Sequence, residues 1–155
     1  MSVEEALARL SAQVGQEIHV SDWVAVDQSR IDAFAAATGD FQWIHTDPER
    51  AARESPWKST VAHGFLTLAL LPLLRGVAEG GEDRYPGVRR IVNYGLNRVR
   101  FTNAVLAGAR VRGRAKVLAV EAFKGGVQVT EEFTVEIDGQ SRPACIAETI
   151  ARLYF

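Results

Sequence analysis

Residues 38–48 form the densest group of reactive side chains in the chain, with Asp40 and His45 five residues apart. A carboxylate and an imidazole at this spacing converge on one small ligand when the chain between them bends. Such a pair positions a water molecule and divides proton removal from proton donation between two groups. The spacing alone leaves a second interpretation open, in which Asp40 caps the turn after Gly39 and His45 is a hydrogen-bonded loop histidine.

The reactive segment lies between two predicted helices. Asp27 is a suitable N-cap for the first helix, and Gly39 suits the left-handed residue that ends it. Asp47 and Pro48 predict the start of the second helix, with Asp47 as N-cap and Pro48 in the first turn. Residues 55–57, which include a proline, break that helix. The segment is therefore expected to be irregular, the kind of structure in which catalytic groups are often found.

Two motifs in sequence order carry a family resemblance. Residues 37–51, followed by 61–67, resemble the hydratase-2 signature of MaoC-like dehydratases, the (R)-specific enoyl-CoA hydratases. The run Gln42-Trp43-Ile44, together with residues 92–95 and 99–101, is similar to the nodulation protein N branch. Many hydratases carry Asn-Pro where this chain has Gln42-Trp43. The change affects the shape of the pocket and hence the preferred acyl chain, while the spacing from Asp40 to His45 is kept.

The resemblance covers most of the chain, residues 27–101 by motif and the residues after 101 by strand pattern. It implies a hot-dog fold, usually in a homodimer, that acts on a trans-2-enoyl thioester. Asp40 and His45 match the catalytic pair of the family, and Gly64 matches the glycine whose backbone N–H holds the thioester oxygen. No separate cofactor is implied, because coenzyme A is part of the substrate. The start of a helix at Gly64 agrees with this role, since free N–H groups favour developing negative charge.

The hydrophobic pattern predicts an α+β fold in which an antiparallel sheet wraps around one buried helix. Residues 64–77 are apolar nearly all round, so this helix must be surrounded by other structure, and Pro72 removes one of its hydrogen bonds. No repeat or linker divides the chain, so residues 1–155 are expected to form a single MaoC-like hot-dog domain. The predicted strands are 17–26, 109–117, 127–138 and 146–155.

The apolar sets of the two middle strands are both odd-numbered, which constrains their register. A two-residue loop would place these sets on opposite faces of the sheet, so the pattern predicts an odd loop or a bulge. A three-residue loop would set Arg114 opposite Glu136 and Arg112 opposite Asp138.

Three further residues are weaker candidates for the site. Ser59 precedes the predicted buried helix and is expected either to line the pocket or to hydrogen-bond within its loop. Tyr94 is a pocket candidate, and a core or dimer role fits it equally well. We interpret His63 as a structural histidine that bonds the overhanging loop. The three histidines of the chain lack the spacing of a zinc site, so no metal is expected.

Basic residues are concentrated between Arg84 and Lys116, a stretch with nine basic residues and no acidic one. Arginine is well suited to the three phosphates of coenzyme A. Two alternatives remain: a nucleic-acid surface, for which the chain lacks an overall positive charge, and a solvated strand face with acidic partners. The better phosphate candidates are Arg89, Arg90, Arg98 and Arg100.

Composition limits the class of protein. The 155 residues carry a net charge of −1, which argues against bulk binding to nucleic acid or acidic lipid. Cys145 is the only cysteine, so no intrachain disulfide is possible and a reducing, cytoplasmic compartment fits best. The acidic N-terminus is not a secretory signal, and the most apolar stretch is too short to span a bilayer.

Three functions are therefore open. A hydro-lyase acting on an enoyl-CoA is favoured by the Asp40–His45 pair and by the motif around Gly64. An acyl-CoA thioesterase on the same fold is the second, and release of a free thiol would distinguish it. A non-catalytic subunit that binds an acyl thioester is the third, and it predicts binding without any change in enoyl absorbance. Fold alone does not choose among them.

Overall fold

The computed structural model describes residues 1–77 and 85–155. Helices precede a sheet in the chain, and two short strands lie between the first two helices. The elements are α1 (Val3–Ser11), β1 (Glu17–Val20), β2 (Val24–Val26), α2 (Gln28–Thr38), α3 (Trp43–Thr46), α4 (Pro48–Glu54), α5 (Gly64–Ala69), α6 (Leu71–Arg75), β3 (Arg90–Phe101), β4 (Ala109–Phe123), β5 (Gly126–Ile137) and β6 (Cys145–Tyr154).

The predicted helix ends are confirmed by their capping contacts. The Asp27 carboxylate accepts from the backbone N–H of Arg30 at 2.9 Å and begins α2, and Gly39 ends it with φ of 80°. Asp47 caps α4 in the same way, with Pro48 in the first turn. These caps satisfy backbone groups that a helix end leaves without an intrahelical partner. The stretch between Gly39 and Asp47 is therefore fixed at both ends.

The strands form one six-stranded antiparallel sheet in the order β1-β4-β5-β6-β3, and β2 also pairs with β4. Its core side packs against α5 and α6, and a second apolar cluster lies beneath α1. The predicted α+β arrangement, a sheet wrapped around a central helical segment, is confirmed. The single strand predicted for residues 17–26 is wrong. Ser21 interrupts it, since its backbone N–H and its hydroxyl both bond to Gly113 of β4.

The central helix predicted over 64–77 is interrupted close to Pro72, the residue expected to remove one of its hydrogen bonds, and it ends at Arg75. α5 ends at Ala69, and α6 begins at Leu71. Pro72 explains the break, because it has no N–H to donate to the carbonyl four residues earlier and its ring crowds that carbonyl. Burial is also incomplete: Phe65 is 69% exposed and Leu73 is 44% exposed. The apolar pattern therefore marks both the core and an outward-facing apolar surface.

The register between β4 and β5 contains the predicted irregularity. Phe123 pairs with Gly126 across a two-residue loop, and a bulge between Val117 and Ala119 then restores the odd-numbered apolar sets to one face. The pairing predicted for a three-residue loop is wrong by two residues, because Arg112 lies opposite Glu136 and not opposite Asp138.

The ion pairs on this face follow the observed register. Arg112 lies opposite Glu136, with Nε to Oε2 at 2.6 Å. Arg110 pairs with Asp138, and Arg114 donates two hydrogen bonds of 2.8 Å to Glu17 of β1. The interpretation of these arginines as a strand face with acidic partners is confirmed. Arg114 also holds the pKa of the exposed Glu17 carboxyl below its usual value.

Cys145 is fully buried as a free thiol, and this burial raises its pKa to about 11. A thiol with that pKa has roughly 100-fold less thiolate at pH 8 than an ordinary cysteine, and the thiolate is the reactive form. We expect Ellman's reagent to modify the native protein at least about 100-fold more slowly than the urea-unfolded protein. Equal rates in the two states would contradict the burial of this side chain.

Among the described residues, no helix has both the length and the apolar character needed to cross a membrane.

Candidate active site

The loop that follows α2 brings Asp40 to the surface beside two buried histidines. Its carboxylate is half-exposed, and Oδ1 accepts from the backbone N–H of Gln42 at 3.3 Å. The other oxygen, Oδ2, lies 4.0 Å from Nε2 of His63. Asp40 does bond within its turn, as the structural interpretation proposed. That bond uses only one carboxylate oxygen, so the other remains available to a ligand.

His45 lies in the single turn α3, and its ring is buried. Its Nδ1–H donates to the carbonyl oxygen of Val61 at 2.7 Å. Because a carbonyl only accepts, Nδ1 must carry the proton, and in the neutral ring Nε2 then has the lone pair. The bond fixes both the orientation of the ring and the nitrogen that is left for proton exchange.

His63 connects the same loop to the start of α5, as the structural interpretation predicts. Its Nε2–H donates to the backbone carbonyl of Asp40 at 3.0 Å. Its ring stacks on that of His45 with centroids 3.8 Å apart and lies against Phe34 at 4.9 Å. Nδ1 of His63 is buried without a hydrogen-bond partner within the described ranges. His63 therefore holds the Asp40 loop against the His45 ring.

Asp40, His45 and His63 each place one potential ligand atom within 4.8 Å of the others. Sequence spacing did not predict this grouping, because His63 lies 23 residues after Asp40. A metal ion would have to take the ring nitrogens that do not face carbonyl oxygens, together with the exposed carboxylate of Asp40. Carboxylate and imidazole are ordinary zinc ligands, so the residue types alone do not exclude a metal.

Gln28 supports the site and was missed in the sequence. Its side-chain amide donates to the carbonyl oxygen of His45 at 2.7 Å, and its carbonyl oxygen accepts from the Thr60 hydroxyl. Gln28 thus joins the start of α2 to both segments that carry site residues. No local pattern identifies Gln28, because a polar residue in the first turn of a helix is common. Its role depends on tertiary partners that the local sequence does not show.

Gly64 is the first residue of α5, so its N–H has no partner within the helix. A Cβ added at this position would lie 2.8 Å from Cδ2 of Phe101, a distance at which the ring must move. The glycine thus lets an aromatic ring approach the backbone, a structural reason that the sequence did not predict. Gly64 and Phe101 both line a cavity of about 420 Å³.

The other predicted residues lie apart from this cluster or have other partners. The Ser59 hydroxyl donates to the carbonyl of Thr60 at 3.0 Å, which agrees with the loop interpretation. Tyr94 is 55% exposed on β3, with the guanidinium carbon of Arg152 3.4 Å from its ring centroid. The structure thus brings together Asp40 and His45, and it adds His63.

Arg89, Arg90, Arg98 and Arg100 are all exposed, and the last three lie on β3. Within residues 1–77 and 85–155, none of the four forms a salt bridge with a carboxylate, unlike the arginines of β4. Arg90 stacks on Tyr154 with its guanidinium carbon 4.2 Å from the ring centroid. Arg84, at the start of the basic stretch, lies outside the described residues.

Comparison with known proteins identifies similar chains along the whole length. The family model described as MaoC like domain matches residues 9–137. The 3-hydroxyacyl-thioester dehydratase Z of Mycobacterium tuberculosis H37Rv is 47% identical over 155 residues, with 98% of each chain covered. Nodulation protein N of Rhizobium leguminosarum bv. viciae is 46% identical over 154 residues, covering 98% of this chain and 93% of that protein.

The fold also has solved counterparts. The (R)-hydratase from A. caviae involved in PHA biosynthesis superposes with a TM-score of 0.71 at 24% identity, covering 90% of this chain and 96% of that one. At this identity the likeness concerns the fold alone, and it confirms the hot-dog arrangement predicted from the sequence.

Proposed function

The chain belongs to the MaoC-like dehydratase family and is an enzyme of the hydratase/dehydratase class, and from this premise we propose that it is an (R)-specific enoyl-CoA hydratase. It would add water to a trans-2-enoyl-CoA to give the (R)-3-hydroxyacyl-CoA, and the reverse dehydration would use the same groups. One observation carries the proposal: the half-exposed carboxylate of Asp40 lies within 4.8 Å of a ring nitrogen of His45, whose ring is held in place by the Val61 carbonyl. The reacting thioester supplies coenzyme A, so the proposed chemistry needs no separate cofactor.

In the proposed mechanism Asp40 and His45 hold one water molecule between them. The Asp40 carboxylate takes a proton from the water while the water oxygen forms a bond to C3. The electrons of the C2–C3 double bond shift toward the thioester carbonyl, and the imidazolium form of His45 delivers a proton from Nε2 to C2. A proton then passes from Asp40 to His45, which restores the starting state.

The thioester oxygen gains negative charge in this step and needs a donor. Gly64 is the matching residue in the family motif, and its N–H has no helical partner because α5 begins there. A backbone donor that is already oriented stabilises such charge without any reorganisation during the reaction. His63, the residue before Gly64, bonds to the backbone carbonyl of Asp40. The proposed donor and the proposed acid–base pair are therefore connected through one residue.

A panel of trans-2-enoyl-CoA substrates tests the function. We expect loss of the conjugated enoyl absorbance and, by chiral chromatography, a product that is the (R)-3-hydroxyacyl-CoA. Release of free thiol without hydration would favour the thioesterase, and binding with no spectral change would favour a non-catalytic subunit. Either result would overturn the proposal.

Gly64→Ala should lower kcat for crotonyl-CoA by about 10²-fold, because the new methyl group obstructs the approach of the thioester to the donor. The variant should fold, since Phe101 is 44% exposed and its ring has room to move. The double variant Gly64→Ala/Phe101→Ala removes the clash with the ring. Recovery of activity in the double variant would mean that the glycine serves ring packing rather than substrate approach.

The free arginines on and beside β3 are proposed to contact the phosphates of coenzyme A. Arg89, Arg90, Arg98 and Arg100 are supported by their exposure and by the lack of carboxylate partners among the described residues. Together they place four positive charges around an exposed strand, and arginine binds phosphate through paired hydrogen bonds. The lone cysteine favours a reducing, cytoplasmic compartment, and this location is compatible with acyl-CoA substrates.

The enzyme is further proposed to be a homodimer formed through β3. This strand has 12 residues and bonds only to β6 among the described strands, so its outer edge can pair with a second copy. Tyr94, Leu96 and Phe101 of this strand are exposed apolar side chains.

Light scattering should therefore give twice the chain mass of 17.0 kDa. Tyr94→Asp places a charge in the middle of the edge strand and should convert the dimer to monomer at micromolar concentration. Ile146→Asp is the matched control, because it adds the same charge at an exposed site on β6, which is flanked by two strands. A monomeric wild-type chain, or a Tyr94→Asp variant that stays dimeric, would contradict this interface.

A further inference from the structure

The turn that carries His45 has little support of its own. α3 contains only four residues, Trp43–Thr46, and no side chain among the described residues caps its N-terminus. An isolated helix this short is not stable in water, because forming the first turn costs more than its hydrogen bonds return. Contacts from outside the turn must therefore hold the His45 ring in the position that proton transfer requires.

Gln28, in the first turn of α2, supplies a side chain that reaches this turn. Its Nε2 donates to the carbonyl oxygen of His45 at 2.7 Å and to Oδ1 of Asp32 at 2.8 Å. Its Oε1 accepts from the hydroxyl of Thr60. The Gln28 side chain is half-buried and Thr60 is buried, so water has limited access to these bonds. One amide thus connects three separate parts of the chain.

The three partners determine which end of the Gln28 amide faces which group. A backbone carbonyl and a carboxylate accept hydrogen bonds only, so the His45 carbonyl and Asp32 must both face the NH₂ group. The Thr60 hydroxyl can donate, and it therefore faces the amide oxygen. A glutamate at position 28 would turn an oxygen toward the His45 carbonyl and would lose that bond. The site thus requires an amide at this position and not only a side chain of this length.

Thr60 is next to the residue that orients the His45 ring. The carbonyl oxygen of Val61 accepts from Nδ1–H of His45 at 2.7 Å. Thr60 is itself fixed to another segment, because its carbonyl accepts from the backbone N–H of Ala107 at 3.0 Å. Gln28 therefore holds the backbone of His45 on one side and the neighbour of its ring acceptor on the other.

We propose that Gln28 is a positioning residue for the proton transfer step. Its amide fixes the His45 backbone relative to the Val61 carbonyl, and this arrangement sets the direction in which Nε2 of the His45 ring points. The proposal rests on the proposed function, because it takes His45 as the group that delivers a proton to C2. Gln28 acts through His45 and does not itself transfer a proton.

Gln28→Leu should lower kcat for hydration of crotonyl-CoA by about 10–10²-fold, since a small displacement of a reacting group causes losses of this size. KM should stay close to the wild-type value, because the lost interaction matters in the transition state and not in substrate binding. The backbone bond from Val61 N–H to the Ile44 carbonyl, at 3.0 Å, does not involve Gln28. The variant should therefore fold, and its thermal midpoint by circular dichroism checks this.

Gln28→Glu tests the requirement for an amide. Glutamate is close to glutamine in size and still accepts from Thr60, but its oxygens face the two acceptors, the His45 carbonyl and Asp32. It should lose at least as much activity as Gln28→Leu. Asp32→Ala is the matched control, because it removes the third partner of the same amide and leaves the bonds to His45 and Thr60. Its kcat should equal that of the wild type.

Thr60→Val removes the hydroxyl that bonds to Gln28 and keeps the shape of the side chain. If Thr60 and Gln28 act through one shared bond, the double variant Gln28→Leu/Thr60→Val should lose no more activity than Gln28→Leu alone. Thr60→Ser keeps the hydroxyl and should keep kcat near the wild-type value. Losses that multiply in the double variant would contradict the shared role.

The imidazole of His45 provides a second readout, which does not require turnover. The ¹⁵N chemical shifts of the ring distinguish its two neutral tautomers, and His45→Asn identifies the His45 signals by their absence. The wild type and Asp32→Ala should hold the Nδ1–H form, because the Val61 carbonyl can only accept. Gln28→Leu should give a mixture of the two tautomers.

These two readouts separate this proposal from the proposed function. If the wild type hydrates none of the enoyl-CoA substrates, the proposed function fails, and a change of His45 tautomer in Gln28→Leu would still support the role of Gln28 in orienting the ring. Wild-type kcat in both Gln28→Leu and Gln28→Glu would overturn the proposal. A single Nδ1–H tautomer in Gln28→Leu would overturn it as well.

Discussion

Replacing Asp40 by asparagine should lower kcat for hydration of crotonyl-CoA by about 10²–10⁴-fold, the usual contribution of a positioned acid or base. Asparagine keeps the shape of the side chain and an oxygen that can accept from the N–H of Gln42. It cannot take a proton from water. The loss should therefore appear in kcat, with the thermal midpoint of the variant close to that of the wild type.

His45→Asn should cause a loss of similar size. The asparagine amide can still donate to the Val61 carbonyl from near the position of Nδ1, whereas the nitrogen that exchanges the proton is removed. Asp47→Asn is the control, because this acid lies near the site in sequence but serves as the cap of α4, a role that asparagine also performs. Rates within tenfold of wild type for Asp40→Asn or His45→Asn would contradict the acid–base assignment.

Arg75→Met alone should lower the free energy of unfolding by about 3–5 kcal/mol, because it removes a guanidinium whose Nε lies 3.0 Å from the buried carboxylate of Glu131. The two side chains are 2% and 1% exposed, so water has little access to the carboxylate after the substitution. Urea denaturation followed by circular dichroism measures the change. Arg75→Met/Glu131→Gln removes both charges and should recover much of the loss.

Arg110→Met provides the comparison for this prediction. It removes an arginine from an ion pair in which the side chains of Arg110 and Asp138 are 57% and 40% exposed. Water screens and solvates both groups, so the expected change is only about 0–1 kcal/mol. Equal effects of Arg75→Met and Arg110→Met would show that the buried pair contributes no more than a surface pair.

Features that depend on short-range chemistry were predictable from the sequence. The caps at Asp27 and Asp47 and the left-handed Gly39 each involve residues within one helical turn. The alternation in β4 and β5 assigned the buried face correctly, because side chains in a strand alternate with period two. The apolar residues of both strands are odd-numbered, which required either an odd loop or a bulge, and the structure has a bulge after Val117.

Features that depend on long-range contacts were not predictable in the same way. Parity does not determine which of the two strands carries the bulge: a bulge in β4 pairs Arg112 with Glu136, as observed, whereas a bulge in β5 would have paired Arg112 with Asp138. Ser21 interrupts its strand through bonds to Gly113, 92 residues away. Gln28 acquires its role only when α2 meets the loops that carry His45 and Thr60.

Within the candidate site, the sequence predicted the pair but not its support. Asp40 and His45 lie in one loop, so their proximity follows from a single bend of the chain. The orientation of His45 depends on the carbonyl of Val61, and the position of Asp40 on the ring of His63. For the buried Arg75–Glu131 pair, the sequence indicates only Arg75, which is a single charged residue in an apolar run. Glu131 lies on a strand of alternating pattern, where an acidic residue is common.

His63 and Gly64 are adjacent in the chain, and this adjacency links two parts of the site. His63 holds the loop of Asp40, and the next residue begins α5, so the proposed acid–base pair and the proposed backbone donor are connected through one peptide unit. A shift of the start of α5 would therefore move the donor and the Asp40 loop together. Their relative position would be kept when substitutions elsewhere in the core repack the helical segment.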